Sequence, residues 1–211
     1  MAPRPKLARE QLQAVALALA DEQGLAALSM RNLAAALGTS AMTLYNYVRD
    51  RDELDALVVE AVMAEAGLPQ AVSSDWREEV RAIAQAIWLA IRAHPNVVPL
   101  VLTRRSMHEA TLEPAEHLLR ALAGSGRSGS ALLIAYRTVF SFIVGLAQAQ
   151  LTGPFASGAS KDETVARVKA LPITRFPKLV EIAEAAQRTD PQDEFDAGLE
   201  LILNGLAARS L

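Results

Sequence analysis

The chain contains no cysteine. That removes disulfides, thiolate metal sites and a cysteine nucleophile together. Histidine is scarce: His94, His108 and His117 are the full set. No two have the helical spacing of metal ligands and no third ligand stands nearby, so no metal site is expected, and His94 before Pro95 reads as a helix-end residue. No Ser-His-Asp order, phosphate-cradling glycine loop or dinucleotide fingerprint is present, so neither enzyme activity nor a cofactor is expected. The carboxylate pairs Glu78-Glu79 and Asp193-Glu194 fall in first turns of helices, where they complement the helix dipole. Runs of alternating β-branched residues are also missing, which excludes a sheet and leaves an all-α fold. The N-terminal MAPRPKLAREQ has charge without an apolar stretch and is not a secretory signal. With the absence of cysteine, this suits a cytoplasmic protein.

What is present is apolar and helical. A length of 211 residues with 51% hydrophobic content can bury a sizeable core, as one large domain or two small ones. About nine to ten helices are expected. The first spans roughly Arg9 to Glu22 and ends at Gly24; Ser29 caps the second, and Thr39 or Ser40 the third. Asp50, with Glu53 three residues on, opens the fourth. Gly67-Leu68-Pro69 and Ser73-Ser74 mark a break, giving a head over 1–66 and a body over 67–211. In the body, Asp75 opens a long helix that Pro95 stops, and short segments follow at about 95–104 and 107–123. GSGRSGS at 124–130 reads as a flexible loop before an apolar helix at about 130–151. Thr152–Ser160 is a second Gly-rich loop. Two shorter helices precede a last one started by Asp190 and Pro191.

Charge is uneven. Residues 1–51 carry six basic against four acidic side chains, net +2, which leaves −5 for the remainder of a chain whose net charge is −3. A basic head on an acidic body suits phosphate contact by the head. Within it, SMRNLAAALGTSAMTLYNYVRDRDELDAL (29–57) places two helical segments around Gly38. The second segment carries hydroxyls, an amide and arginines at helical spacing. Such a surface beside a glycine turn suits a helix laid in the DNA major groove. Leu33, Leu37, Leu44 and Val48 are the core side of the same bundle.

The segment 33–57 resembles the DNA-binding head of the tetracycline-repressor (TetR) family, through Leu37-Gly38, Thr43-Leu44-Tyr45, Val48 and the acidic start of the next helix. The Trp76 helix start, the His94-Pro95 junction and FDAGLELILNGL (195–206) are similar to the body of that family's tetracycline-repressor-like branch. The resemblance implies a homodimeric, all-helical transcriptional regulator, usually a repressor. Its three-helix helix-turn-helix head would bind a palindromic double-stranded operator, and its body would dimerise and bind a small-molecule inducer that releases the DNA. It implies DNA contacts from Arg31, Thr39, Ser40, Ala41, Met42, Thr43, Tyr45, Asn46, Tyr47 and Arg51, with Arg51 at the place of a backbone-contacting lysine and Arg4 and Lys6 as a basic arm. Arginine suits guanine, Asn46 adenine, and Ala41 and Met42 a thymine methyl; Tyr45 and Tyr47 suit phosphates.

In the body, the helix at 130–151 is apolar nearly all round and should be buried on several sides. Arg137 within it, Thr138 and Ser141 beside it, and an apolar run short of about 20 residues argue against a membrane span. No membrane partner is expected. In family terms this helix and the last one form a four-helix bundle with their symmetry mates, through Leu133, Phe142, Leu199, Ile202 and Leu206. Ile83, Ile87, Trp88, Val101, Arg104, Tyr136 and Phe140 are candidates to line a ligand pocket. Where the tetracycline repressors grip drug and magnesium with polar and histidine side chains, this chain has Ala66, Ile83 and Val101, so an apolar or aromatic inducer is expected. The alternative reading is a helical protein-interaction or small-molecule-carrier module without operator specificity.

Overall fold

A computed structural model describes residues 7–69, 73–103, 106–152 and 159–208. Among the described residues every regular element is helical. The order is α1 (Arg9–Gln23), α2 (Met30–Ala36), α3 (Ala41–Leu44), α4 (Arg51–Ala64), α5 (Trp76–Ala93), a 3-10 turn (Pro95–Val97), α6 (Val98–Thr103), α7 (Glu109–Ala123), α8 (Gly129–Thr152), α9 (Ala159–Lys169), α10 (Pro177–Arg188) and α11 (Pro191–Ala208). The described residues form eleven α-helices, close to the nine to ten expected. Arg4, Lys6 and Arg104 lie outside the described residues, as does most of the second Gly-rich loop.

Local chemistry starts the helices where the sequence places the caps. Ser29 Oγ accepts from Asn32 N at 3.2 Å, Ser40 Oγ from Thr43 N at 3.1 Å, and Asp50 Oδ1 from Glu53 N at 2.9 Å. Each satisfies an N–H that the helix itself leaves unpaired, worth about 1 kcal/mol. The reciprocal half of the capping box at α4 is displaced by one residue: Glu53 Oε2 accepts from Arg49 N at 2.6 Å rather than from the cap's own N–H.

The head and body share one hydrophobic core, and α4 is its shared element. Every residue of α4 from Leu54 to Met63 is buried. It packs against α1 on one side and against α5, α6 and α7 on the other. In the body, Trp88 and Phe195 are fully enclosed and stack at 4.5 Å between ring centroids, with the Arg92 guanidinium 4.4 Å from the Trp88 ring. At the crossing of α8 and α11, a Cβ on Gly198 would stand 2.6 Å from the Phe142 ring, so glycine sets that close approach.

Two sequence expectations are corrected. The 124–130 loop is anchored: Arg127 is buried, donating to Ser125 Oγ at 2.8 Å and to the Leu206 carbonyl. Its guanidinium supplies a donor to a carbonyl near the end of α11, which composition alone does not reveal. The second concerns α8, which within the protomer buries Ala135, Val139, Ile143, Val144 and Ala147 and leaves Leu133 and Ile134 facing outward. Over Gly129–Leu151 it is also long and apolar enough to cross a membrane, so length does not argue against a span. The helix packs on α5, α6, α7 and α11. Gln150 is buried and donates to the Pro191 carbonyl and to Glu194, both at 3.0 Å.

Candidate nucleic-acid interface and effector cavity

The helix-turn-helix is built from the turn outward. Gly38 sits at φ +63°, a left-handed conformation that costs any residue with a Cβ about 1–2 kcal/mol. Around it, Thr39 N reaches the Ala34 carbonyl at 2.9 Å and Gly38 N the Ala35 carbonyl at 3.1 Å. These two bonds form a Schellman motif, which closes α2 and sets the angle at which Ser40 starts the next helix. Regular α structure then lasts only from Ala41 to Leu44. Bonds from Asn46 N to Thr43 and Tyr47 N to Leu44 continue the segment as tighter turns, and an α-type bond from Val48 N to Leu44 closes it. Leu44 and Val48 are fully buried and fix the rotation of this segment on the head.

That rotation sorts the predicted contact residues. Met42 is 78% exposed and Tyr45 52%, and Arg31, Ser40 and Asn46 are exposed beside them. Thr39, Ala41 and Thr43 are half-buried, and Thr43 Oγ1 lies 2.9 Å from Ser40 Oγ. Tyr47 is half-buried and packs against the core. Arg51 takes a different place: Nε donates to Asp55 Oδ1 at 2.7 Å, Nη2 to the Leu25 carbonyl at 3.1 Å and Nη1 to the Leu28 carbonyl. Its side chain stays about half exposed, at 49%, but its guanidinium is held by these bonds and seats α4 on the α1–α2 connection. Arg49 is the more exposed of the two, at 86% of its side chain, and stands 3.7 Å from Glu53.

Below the head lies a cavity of about 450 Å³. Its apolar wall includes Val59, Met63, Ile87, Val101, Leu112, Leu118 and Phe140; Ser106, Thr111, Tyr136 and Arg137 add polar groups. Tyr136 and Phe140 stack at 5.8 Å, nearly parallel. Burial raises the Tyr136 pKa above its ordinary value, which keeps the phenol neutral and able to donate. Of the expected lining residues, Ile87, Val101, Tyr136 and Phe140 are here. Ile83 and Trp88 are corrected to core: both are fully enclosed, Trp88 between Phe195 and Arg92. The sequence reading omitted Ser106, Met107 and Thr111, because they stand in an irregular connection and a first turn without periodic signal. Ala66, Ile83 and Val101 are buried and apolar. Among the described residues no group of three potential metal ligands comes together.

The expected dimer residues also separate. Leu133 is exposed, and Phe142, Ile202 and Leu206 are half-buried against the core. Leu199 is corrected: it is fully buried within the protomer, since it lies one helical turn from Phe195 on the inner face of α11. The outward residue of that helix is Leu201 at 76% exposure.

Two further clusters join head to body. Glu60, in the middle of α4, is 1% exposed and holds Arg9 of α1 through both carboxylate oxygens, at 2.7 and 2.9 Å. Gln13 Nε2 adds a bond at 2.9 Å, and Ser106 Oγ donates from the α6–α7 connection. His94 ends α5 with Nδ1 2.7 Å from Asp21 and Nε2 2.9 Å from Glu65. Burial would lower its pKa, but the hydrogen bonds that Glu65 and Asp21 accept from the ring and their charges outweigh that, and the net shift is upward. A lone carboxylate in the apolar run Val58-Val59-Glu60-Ala61-Val62 was the sequence signal for the first cluster.

Comparison with known proteins agrees with this geometry. The model for bacterial regulatory proteins of the tetR family matches residues 12–58, and that for the tetracyclin repressor-like C-terminal domain matches 68–210. The repressor DrrR1 of Streptomyces coeruleorubidus is 29% identical, over 97% of this chain and 78% of that protein. The class A tetracycline repressor of transposon 1721 from Escherichia coli is 29% identical, over 93% and 88%. The crystal structure of Streptomyces coelicolor ActR with (S)-DNPA superposes with a TM-score of 0.81 at 30% identity, over 99% of both chains. Family models that together span head and body leave one conclusion: the chain belongs to the TetR family of bacterial transcriptional regulators.

Proposed function

We propose that this protein is a ligand-responsive transcriptional repressor that acts in the cytoplasm, binds a palindromic operator as a homodimer and is released by a small aromatic inducer. The exposed row Arg31 on α2, Ser40 at the cap of α3, Met42 on α3, and Tyr45 and Asn46 just after it carries this reading. It offers a guanidinium, hydroxyls, an amide and an apolar tip on one surface, the set needed to read base edges and grip phosphates. Regulation rather than catalysis is its activity, as its relatives' names support. A second copy covers the outward faces of α8 and α11, and two-fold symmetry matches the palindrome.

The inducer is flat and aromatic with an acidic or phenolic group. Supporting this are the stacked Tyr136–Phe140 pair, the aliphatic walls, the hydroxyls of Ser106 and Thr111, and Arg137 as the cation. ActR, similar over nearly its whole length, has been crystallised with actinorhodin.

Selection of duplexes from a random pool, followed by gel shift across a salt series, tests the reading. A single enriched palindrome is expected, bound with an affinity that falls steeply as salt rises. No enrichment over random competitor overturns it. Thermal-shift screening of aromatic acids and phenols then tests the cavity, and a hit must also weaken the gel shift.

A further inference from the structure

We propose that Glu60 is a positioning residue for operator binding: it ties the DNA-reading head to the wall of the effector cavity through Arg9 on one side and Ser106 on the other. The inference rests on the operator-binding reading above.

The connection is physically continuous. Ser106 and Met107 line the 450 Å³ cavity, and both also line a second, more polar cavity of about 500 Å³ between head and body, with Arg9, Arg49 and Glu60. The short segment at 106–107 is therefore the partition between the two spaces. Ser106 Oγ donates to Glu60 Oε1, and His108 Nδ1 stands 3.9 Å from Glu60 Oε2. On its far side the same carboxylate holds Arg9 Nε and Nη2 and Gln13 Nε2, two residues one helical turn apart on α1.

A buried charge is costly unless its oxygens are all occupied. Glu60 meets that condition only while α1, α4 and the 106–108 segment stay in register. A ligand that pushes Ser106 outward removes one donor from a carboxylate that is 1% exposed. The remaining partners, Arg9 and Gln13, are on α1, so the imbalance falls on the helix that supports the helix-turn-helix. Two well-defined arrangements follow, one with the Ser106 bond made and one without it, and ligand and operator favour opposite ones.

The test needs no inducer. The wild-type protein first selects its duplex, and fluorescence anisotropy then gives the operator Kd of Ser106→Ala, Ser106→Thr, Thr103→Ala and Glu60→Gln. Because the chain lacks cysteine, a Glu22→Cys substitution provides one spin label per protomer on the exposed end of α1. Ser106→Ala should weaken binding about fivefold or more and broaden the head-to-head distance distribution, with Tm close to wild type. Ser106→Thr keeps the hydroxyl and should restore both. Thr103 bonds only within α6, to the Pro99 and Leu100 carbonyls, and its alanine variant should behave as wild type. Wild-type affinity and distances in Ser106→Ala overturn the proposal, as does an equal loss in Thr103→Ala. Glu60→Gln, if it folds, should match or exceed Ser106→Ala; if it does not, the serine variants decide. Failure of the wild-type protein to select any duplex would instead sink the operator-binding reading.

Discussion

Asp21, at the end of α1, and His94, at the end of α5, meet at 2.7 Å, with Glu65 completing the bridge at 2.9 Å from the other ring nitrogen. Both ring nitrogens face carboxylates, so the imidazolium is the form this junction favours. The raised pKa means that the folded state binds the proton more tightly than the unfolded state, whose value is near 6.5. The stabilisation is fully present below that unfolded pKa and is lost as pH rises through the folded one. Thermal melts from pH 5.5 to 8.5 should therefore show a component of stability that declines with rising pH. His94→Gln should remove that component, and an unchanged slope in the variant would exclude His94 as its source.

Gly38 and Gly67 make a matched pair for the turn. A Cβ added at either would meet no atom within 4 Å, but only Gly38 has positive φ. Gly38→Ala should cost about 1–2 kcal/mol, or roughly 2–8 °C in Tm for a chain of this size, and should weaken operator binding as α3 is re-aimed. Gly67→Ala should leave the melting temperature within a degree or so. Calorimetry on the two variants separates backbone strain from packing.

The arginines of the head should divide by role. Arg31→Ala and Tyr45→Ala are expected to weaken specific binding by about 1–3 kcal/mol with no change in thermal stability, because both side chains are exposed. Arg51→Ala should instead lower stability by about 1–3 kcal/mol, since it withdraws the bond to buried Asp55 and frees the Leu25 and Leu28 carbonyls. Denaturant melts and gel shifts on the same three proteins check the division. Full stability in Arg51→Ala would return that residue to the DNA-contact set.

Leu201 at 76% and Ile134 at 60% exposure are the apolar residues most open on α11 and α8. A glutamate at either should leave the protomer folded and shift sedimentation from dimer to monomer. Leu199→Glu should fail to fold, because that side chain has no surface. A dimer that survives both Leu201→Glu and Ile134→Glu would place the interface elsewhere.

Local signals were the most legible in the sequence. Ser29, Ser40 and Asp50 act through bonds spanning three residues, and Gly38 through its own dihedral, so nothing distant could override them. Ile87, Tyr136 and Phe140 line the 450 Å³ cavity, as large side chains at helical spacing must face something. What stayed hidden depends on contacts between remote segments. The anchoring of Arg51 requires the Leu25 and Leu28 carbonyls, and the burial of Arg127 requires the end of α11. Which residues of α11 point outward depends on how Phe195 docks on Trp88, which the family resemblance that gave Leu199 to the dimer interface does not carry. Glu60 looked like one polar position in an apolar run, and only folding brings Arg9, Gln13 and Ser106 to it.

Because α4 is enclosed from Leu54 to Met63, it offers no free face at which a chimera could be joined. Grafting this reading head onto another family member's body would expose one flank of the helix to side chains it never evolved against. Specificity transplants in this scaffold should therefore exchange the surface residues of α2 and α3 alone, leaving everything from Arg51 onward native to the recipient.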